Sequence, residues 1–91
     1  MKTPEISIII PCYNEEKNIF NTIKSISSHF NKKCFEIIVI DDGSNDNTRK
    51  IINSIDDIII NEKRENKGKG YSIKEGVLKS RGKKILITDA D

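Results

Sequence analysis

Three apolar runs in this chain end in the same way, and that repetition limits the folds open to it. The middle run is the anchor: Phe35 to Thr48 reads FEIIVIDDGSNDNT. Its core, Glu36-Ile37-Ile38-Val39-Ile40, is β-branched almost throughout, which suits a strand buried on both faces of a parallel sheet. The run stops at Asp41-Asp42-Gly43-Ser44: two carboxylates, a residue free to take positive φ, and a helix-capping hydroxyl. Ser7-Ile8-Ile9-Ile10 likewise leads into Pro11-Cys12-Tyr13-Asn14-Glu15-Glu16, and Ile85-Leu86-Ile87-Thr88 into Asp89-Ala90-Asp91. Open α/β sheets bind ligands at the carboxyl ends of their strands. Strands that all deliver polar, mostly acidic clusters to one edge mark that edge as the site.

Between these runs the period changes. Ile19, Ile23, Ile26 and Phe30 form one apolar face of a helix predicted from Glu15 to about Phe30. Asn14 is its expected N-cap, with Glu15 and Glu16 in the first turn, where the macrodipole favours anions. A tail from Met1 to Pro4 and a first strand over Glu5 to Ile10 precede it. Pro11 is expected to end that strand by removing a ladder donor. Asn31-Lys32-Lys33 reads as a turn before the central strand. A second helix, capped by Ser44 or Asp46, carries Ile51, Ile52 and Ile55 inward. Asp56-Asp57 is a turn, and Ile58 to Ile60 a short third strand. Asn61 to Gly70, NEKRENKGKG, is a polar, basic loop. A third helix from about Tyr71 to Ser80 sets Ile73 and Val77 on one face, and Gly82 stands where a helix C′ glycine belongs. Lys84 to Thr88 is the fourth strand. This β-α-β-α-β-α-β alternation predicts an α/β, Rossmann-like parallel sheet with helices on both faces. The strand order 3-2-1-4 gathers the ends of strands one, two and four at one edge.

Composition removes several classes of function. At 91 residues the chain is one domain. Its formal charge of +2, from 16 basic and 14 acidic side chains, is too balanced to argue for nucleic acid. No apolar run approaches the ~20 residues of a membrane span, and no signal-peptide pattern opens the chain. The chain reads as soluble and cytoplasmic. Cys12 and Cys34 fall at opposite ends of neighbouring strands, roughly 15–20 Å apart at ~3.3 Å per residue. That is too far for a disulfide, which needs Cα atoms within about 7 Å. With no CxxC motif and one distant histidine, a zinc site is not expected either.

Asp89-Ala90-Asp91 is the most loaded triplet. Two carboxylates one residue apart on a loop can hold a hard divalent cation while substrate phosphates complete its shell. Such triplets also occur in surface turns, so position at a strand end carries the weight. Asp41-Asp42 reads either as a turn plus helix cap or as a pair facing a cation or donors, because adjacent buried acids repel. Asn66-Lys67-Gly68-Lys69-Gly70 is either a solvated loop or, ahead of a helix N-terminus, a phosphate contact. A dinucleotide fingerprint fails because Ile73 stands where its third glycine or alanine belongs, and no NTPase phosphate loop is present. A receiver-type signalling domain would place the acid pair after its first strand, not its second.

The blocks SIIIPCYNEEKNI, EIIVIDDGSNDNT and NKGKGYSIKEGVLKSRGKKILITDAD together resemble the nucleotide-binding half of a family 2 glycosyltransferase of the GT-A-type fold. The third block is most similar to the branch that charges dolichyl or polyprenyl phosphate with glucose or mannose; Ser72 stands where that branch leads one to expect alanine. The resemblance implies a metal-dependent, inverting transfer of a hexose from a nucleotide diphosphate sugar to a lipid phosphate, at the cytoplasmic face of a membrane. It implies nucleotide binding by Pro11, Tyr13, Glu15, Asp41, Lys67, Lys69 and Ala90, with Tyr13 packing on the base and Asp41 accepting a base N–H. It implies that Asp89 and Asp91 hold Mg²⁺ or Mn²⁺ and serve the catalytic step. The chain is shorter than that family's domain, so residues 1–91 read as a nucleotide-sugar-binding half that is inactive alone. A non-catalytic nucleotide-binding half-domain is the alternative. An uncovered fourth strand would also favour self-association.

Overall fold

The order of the strands decides which loops can meet. A computed structural model describes residues 3–30 and 34–91. Its elements are β1 (Ile6–Cys12), α1 (Ile19–His29), β2 (Phe35–Asp41), α2 (Thr48–Asn53), β3 (Ile59–Glu62), α3 (Lys69–Lys79) and β4 (Lys84–Ile87). The strands form one sheet of order β3-β2-β1-β4, all ladders parallel, as the sequence predicts.

The β-branched runs take the centre. Ile10 pairs with Val39 and Cys12 with Asp41. The side-chain alternation of a strand then sorts the core. Ile8, Ile10 and Cys12 of β1 and Ile37 and Val39 of β2 face Ile19 and Ile23 of α1 and Ile52 of α2. Ile26, Phe30, Ile51 and Ile55 close round that cluster, as the helical period predicts. Ile9, Ile38 and Ile40 form a separate cluster, on the side where α3 packs over β1 and β2. Fully burying one such aliphatic side chain contributes on the order of 1.5–3 kcal/mol, so these central residues dominate the fold's stability.

Several local expectations give way to tertiary packing. Pro11 lies inside β1 and does not end it. In a parallel ladder, N–H and C=O of one residue point to the same neighbour. Thr88 N donates to the Ile9 carbonyl and Asp42 N to the Cys12 carbonyl. Pro11 therefore points towards the β4 side, beyond Ile9, the last β1 residue paired with β4. Its missing donor costs no ladder bond. Asn14 does not cap a helix: it takes a left-handed φ of 53°, and α1 begins at Ile19. Ser44 does not cap α2, whose first flanking residue is Asn47, whereas Asp46 Oδ1 accepts from the N–H of Thr48, the first helical residue, at 2.9 Å.

Helix α3 presents Ser72 and Gly76 to the sheet, leaving Val77 40% exposed, so the predicted Ile73/Val77 face is not the inward one. A Cβ on Gly76 would stand 2.4 Å from Ile9 Cγ2. The helix rides too close to β1 for a large side chain. Gly82 is not a left-handed cap either; its Cβ would meet Ser7 N at 2.6 Å, so the position demands close backbone approach. Of the expected tail, Pro4 is buried and Glu5 N donates to the Cys34 carbonyl, while Met1 and Lys2 lie outside the described residues. The predicted turn at Asn31-Lys32-Lys33 also lies outside them. Both cysteines are free thiols, as their spacing requires. Among the described residues no helix is long and apolar enough to cross a membrane.

Candidate functional site

The carboxyl ends of β1, β2 and β4 converge on a cleft of about 350 Å³. Pro11, Tyr13 and Glu15 line it from β1 and its following loop, and Asp42 from the end of β2. Lys69 and Ser72 contribute from α3, and Asp89, Ala90 and Asp91 from beyond β4. The cleft lies on the α3 side of the sheet. Pro11 and Tyr13 share the parity of Ile9, which is why they reach it.

The same parity corrects the acid pair. Asp41 shares a face with Ile37 and Val39 and turns towards α2, away from the cleft. It is fully buried. Its carboxylate accepts hydrogen bonds from the Ser44 hydroxyl and from Arg49 Nε, with which it forms an ion pair. Asp42 falls on the face of Ile38 and Ile40 and lines the cleft in its place. Its Oδ1 accepts from Lys67 N at 2.8 Å and its Oδ2 from Gly68 N at 2.8 Å. This reach depends on Gly43, at φ 84°, where a Cβ would lie 2.7 Å from Asn66 N. The two amides that a phosphate could have met are thus engaged by Asp42. Lys67 itself does not line the cleft; its ammonium lies 5.9 Å from the Tyr71 ring centroid.

The β1–α1 loop is laced to the segment after β2. Asn14 N donates to Ser44 Oγ at 2.8 Å, Glu15 N to Thr48 Oγ1 at 2.9 Å, and Asn45 N to Asn14 Oδ1 at 2.9 Å. These bonds hold Tyr13 and Glu15 at the rim. Tyr13 is 44% exposed, so a ring face is open to a ligand. Cys12 points the other way, towards Asp41. Burial first, then the charge of Asp41 and its acidic neighbours, pushes its thiol up to about 12.

Asp89 and Asp91 are exposed and Ala90 is buried between them. Thr22 Oγ1 of α1 donates to the Ala90 carbonyl at 2.6 Å, which fixes the triplet against the helix. Nothing in the sequence pattern singles out Thr22. Asp89 also pairs with the Lys69 ammonium, whose pKa the hydrogen bond to Asp89 raises. Among the described residues no group of three or more His, Cys, Asp or Glu side chains is placed to enclose a metal. Two hard carboxylates on the rim of a cleft fit an ion that shares its shell with a ligand's phosphates. They do not fit an all-protein cage. Sequence reasoning weighed Asp42 only as the partner of Asp41, and Lys63 it did not single out.

Comparison with known proteins agrees with this fold. Residues 7–91 match the family model "Glycosyl transferase family 2". The chain is 36% identical over 99 residues to a dolichyl-phosphate beta-glucosyltransferase of Dictyostelium discoideum, covering 94% of this chain and 30% of that protein. It is 35% identical to the Homo sapiens protein of the same name, covering 98% of this chain and 32% of the relative. The chain thus spans about a third of the length of the curated relatives it matches. Among solved structures, S. aureus TarS 1-349 in complex with UDP-GlcNAc superposes with a TM-score of 0.87 at 29% identity, over 96% of this chain and 26% of that one. Mannosyltransferase PcManGT from Pyrobaculum calidifontis, in complex with GDP-Man and Mn2+, gives a TM-score of 0.78 at 27% identity, over 100% and 28% of the two chains. Sheet order, cleft and family match converge: this chain belongs to glycosyl transferase family 2.

Proposed function

We propose that this domain binds the nucleoside diphosphate of a nucleotide sugar, of the UDP-glucose or GDP-mannose type, and serves transfer of its hexose to a polyprenyl or dolichyl phosphate. The observation that carries this reading is the convergence of Tyr13, Asp42, Asp89 and Asp91 on one cleft at the sheet's carboxyl edge. The Tyr13 ring offers a stacking face to the base. Asp42, an acceptor-only carboxylate, suits a base N–H, the role first expected of Asp41. Glu15 suits ribose hydroxyls, and Pro11 and Ala90 shape the wall.

Asp89 and Asp91 would hold Mg²⁺ or Mn²⁺. When bound, such an ion supplies Lewis-acid neutralisation of charge on the departing diphosphate. Lys69 adds a positive charge on the same rim. A lipid monophosphate, with a second pKa near ~6, is already an anionic nucleophile at pH 7. Its oxygen attacks the anomeric carbon as the bond to the diphosphate breaks. The electron pair leaves on the diphosphate oxygen, and the anomeric configuration inverts. No side chain need accept a proton.

A lipid-phosphate acceptor would put the complete reaction at a membrane, on this reading at its cytoplasmic face. The uncovered β4, with Ile85, Leu86 and Ile87 all at least 40% exposed, supports self-association through that edge. Titration with UDP and GDP, with and without Mn²⁺, followed by a hexose-transfer assay to a polyprenyl phosphate, tests the reading. Tight nucleotide binding without transfer favours a binding module; no nucleotide binding removes both.

A further inference from the structure

Lys63, the first residue after β3, turns a nearly buried ammonium into the wall behind the cleft, its side chain only 9% exposed. Its backbone is pinned on both sides: its N–H donates to the Asp41 carbonyl at 2.9 Å and its own carbonyl accepts from Arg49. The ammonium stands 2.7 Å from Glu75 Oε1, 3.1 Å from Ser72 Oγ and 3.6 Å from Asp42 Oδ1. It also lies 4.3 Å from the centroid of the Tyr71 ring. Lys63 itself does not line the cleft, but Ser72 and Asp42 do.

A simple ion pair tying β3 to α3 would need only Glu75. What that pair leaves unexplained is the second carboxylate. Asp42 is 95% buried by its side-chain exposure of 5%, and Lys63 is the cation beside it. A buried charge without a partner costs several kcal/mol, so the two hold one another in place. The lone pairs make the effect directional. An ionised carboxylate offers about four acceptor sites. Lys67 N occupies one on Oδ1 and Gly68 N one on Oδ2, with the Lys63 ammonium beside Oδ1. Each oxygen thus keeps one acceptor site, and the ammonium, 3.6 Å away, lies on the Oδ1 side.

We propose that Lys63 is a positioning residue that aims the Asp42 carboxylate, together with the Ser72 hydroxyl, into the cleft, so that nucleotide recognition by Asp42 depends on Lys63. This rests on the nucleotide-binding reading given above. Lys63 touches no ligand itself. Its contribution is to orient and compensate the group that does.

A double-mutant cycle on the full chain tests it, with UDP and GDP as probes and melting temperature recorded for every variant. Lys63→Met and Asp42→Asn should each weaken binding on the order of tenfold, and the double variant should bind within about twofold of Asp42→Asn alone. Glu75→Gln separates this from a merely structural pair. It breaks the same ion pair and should lower the melting temperature as Lys63→Met does, yet it should keep nucleotide affinity. Should Lys63→Met fail to fold, Lys63→Gln, which keeps the stem and a donor, takes its place in the cycle. Losses that multiply, wild-type affinity in the lysine variant, or equal loss of affinity in Glu75→Gln would each overturn the proposal. A wild-type chain that binds neither UDP nor GDP would instead remove the nucleotide reading itself.

Discussion

Asp41 and Asp42 are adjacent in sequence, yet their carboxylates share no partner: one meets Ser44 and Arg49, the other the Lys67 and Gly68 amides and Lys63. The strand's alternation sends them to opposite faces of the sheet, so one acid serves the fold and the other the cleft.

The two should therefore fail differently on substitution. Asp41→Asn leaves Arg49 without its carboxylate and should cost about 1–3 kcal/mol of stability with little change in nucleotide affinity. Asp42→Asn should weaken UDP or GDP binding on the order of tenfold, since hydrogen bonds to charged groups contribute about 1.5–3 kcal/mol. Denaturant melts beside calorimetric titrations of both variants separate the effects.

Acid should unfold the chain in part through Glu36. Burial pushes this carboxyl up, but hydrogen bonds from Ser7 Oγ, Arg81 N and Arg81 Nε together outweigh it and hold the group below the ordinary carboxylate range. A depressed carboxyl stabilises the fold above its unfolded value, and that stability is lost as pH falls through the folded value. Glu36→Gln should flatten the acid limb of a stability–pH curve measured from pH 6 downward.

Cys12 predicts the opposite limb. Its thiol is held protonated towards about 12, whereas an unfolded thiol ionises near 9.0, so stability should fall as pH rises between those values. Cys12→Ala should lessen that decline. At neutral pH a thiol reagent should label exposed Cys34 quickly and Cys12 only on unfolding.

Gly82→Ala should destabilise by about 1–3 kcal/mol, the usual cost of overpacking a tight site. The added methyl meets Ser7 N and the Ile6 carbonyl carbon, backbone atoms that cannot rotate away. No gain in helix propensity offsets this, because Gly82 lies outside α3. A thermal melt reads the loss directly.

Much of the fold was legible from local pattern. The β-branched runs, the four-three-four spacing of Ile19, Ile23, Ile26 and Phe30, and the strand-helix alternation are properties of neighbouring residues, and they were enough for the sheet order and the edge that carries the cleft. Tyr13, Glu15, Lys69, Asp89, Ala90 and Asp91 all reach the cleft as expected.

What pattern alone left open was settled by contacts between segments far apart in the chain. Strand alternation requires Asp41 and Asp42 to diverge, but not which one meets the cleft; that depended on the side of the sheet where α3 packs. The inward face of α3 passed to Ser72 and Gly76 because Ile9 lies directly beneath it. Thr22 reaches the Ala90 carbonyl across 68 positions, and Lys63 reaches Asp42 because β3 pairs with β2 in a register that sets Glu62 opposite Asp41. Periodicity records which face of an element is apolar, through the side chains of that element alone. How closely two elements approach, and which polar group each leaves facing the other, is set by the shapes of both, and so only by the folded chain.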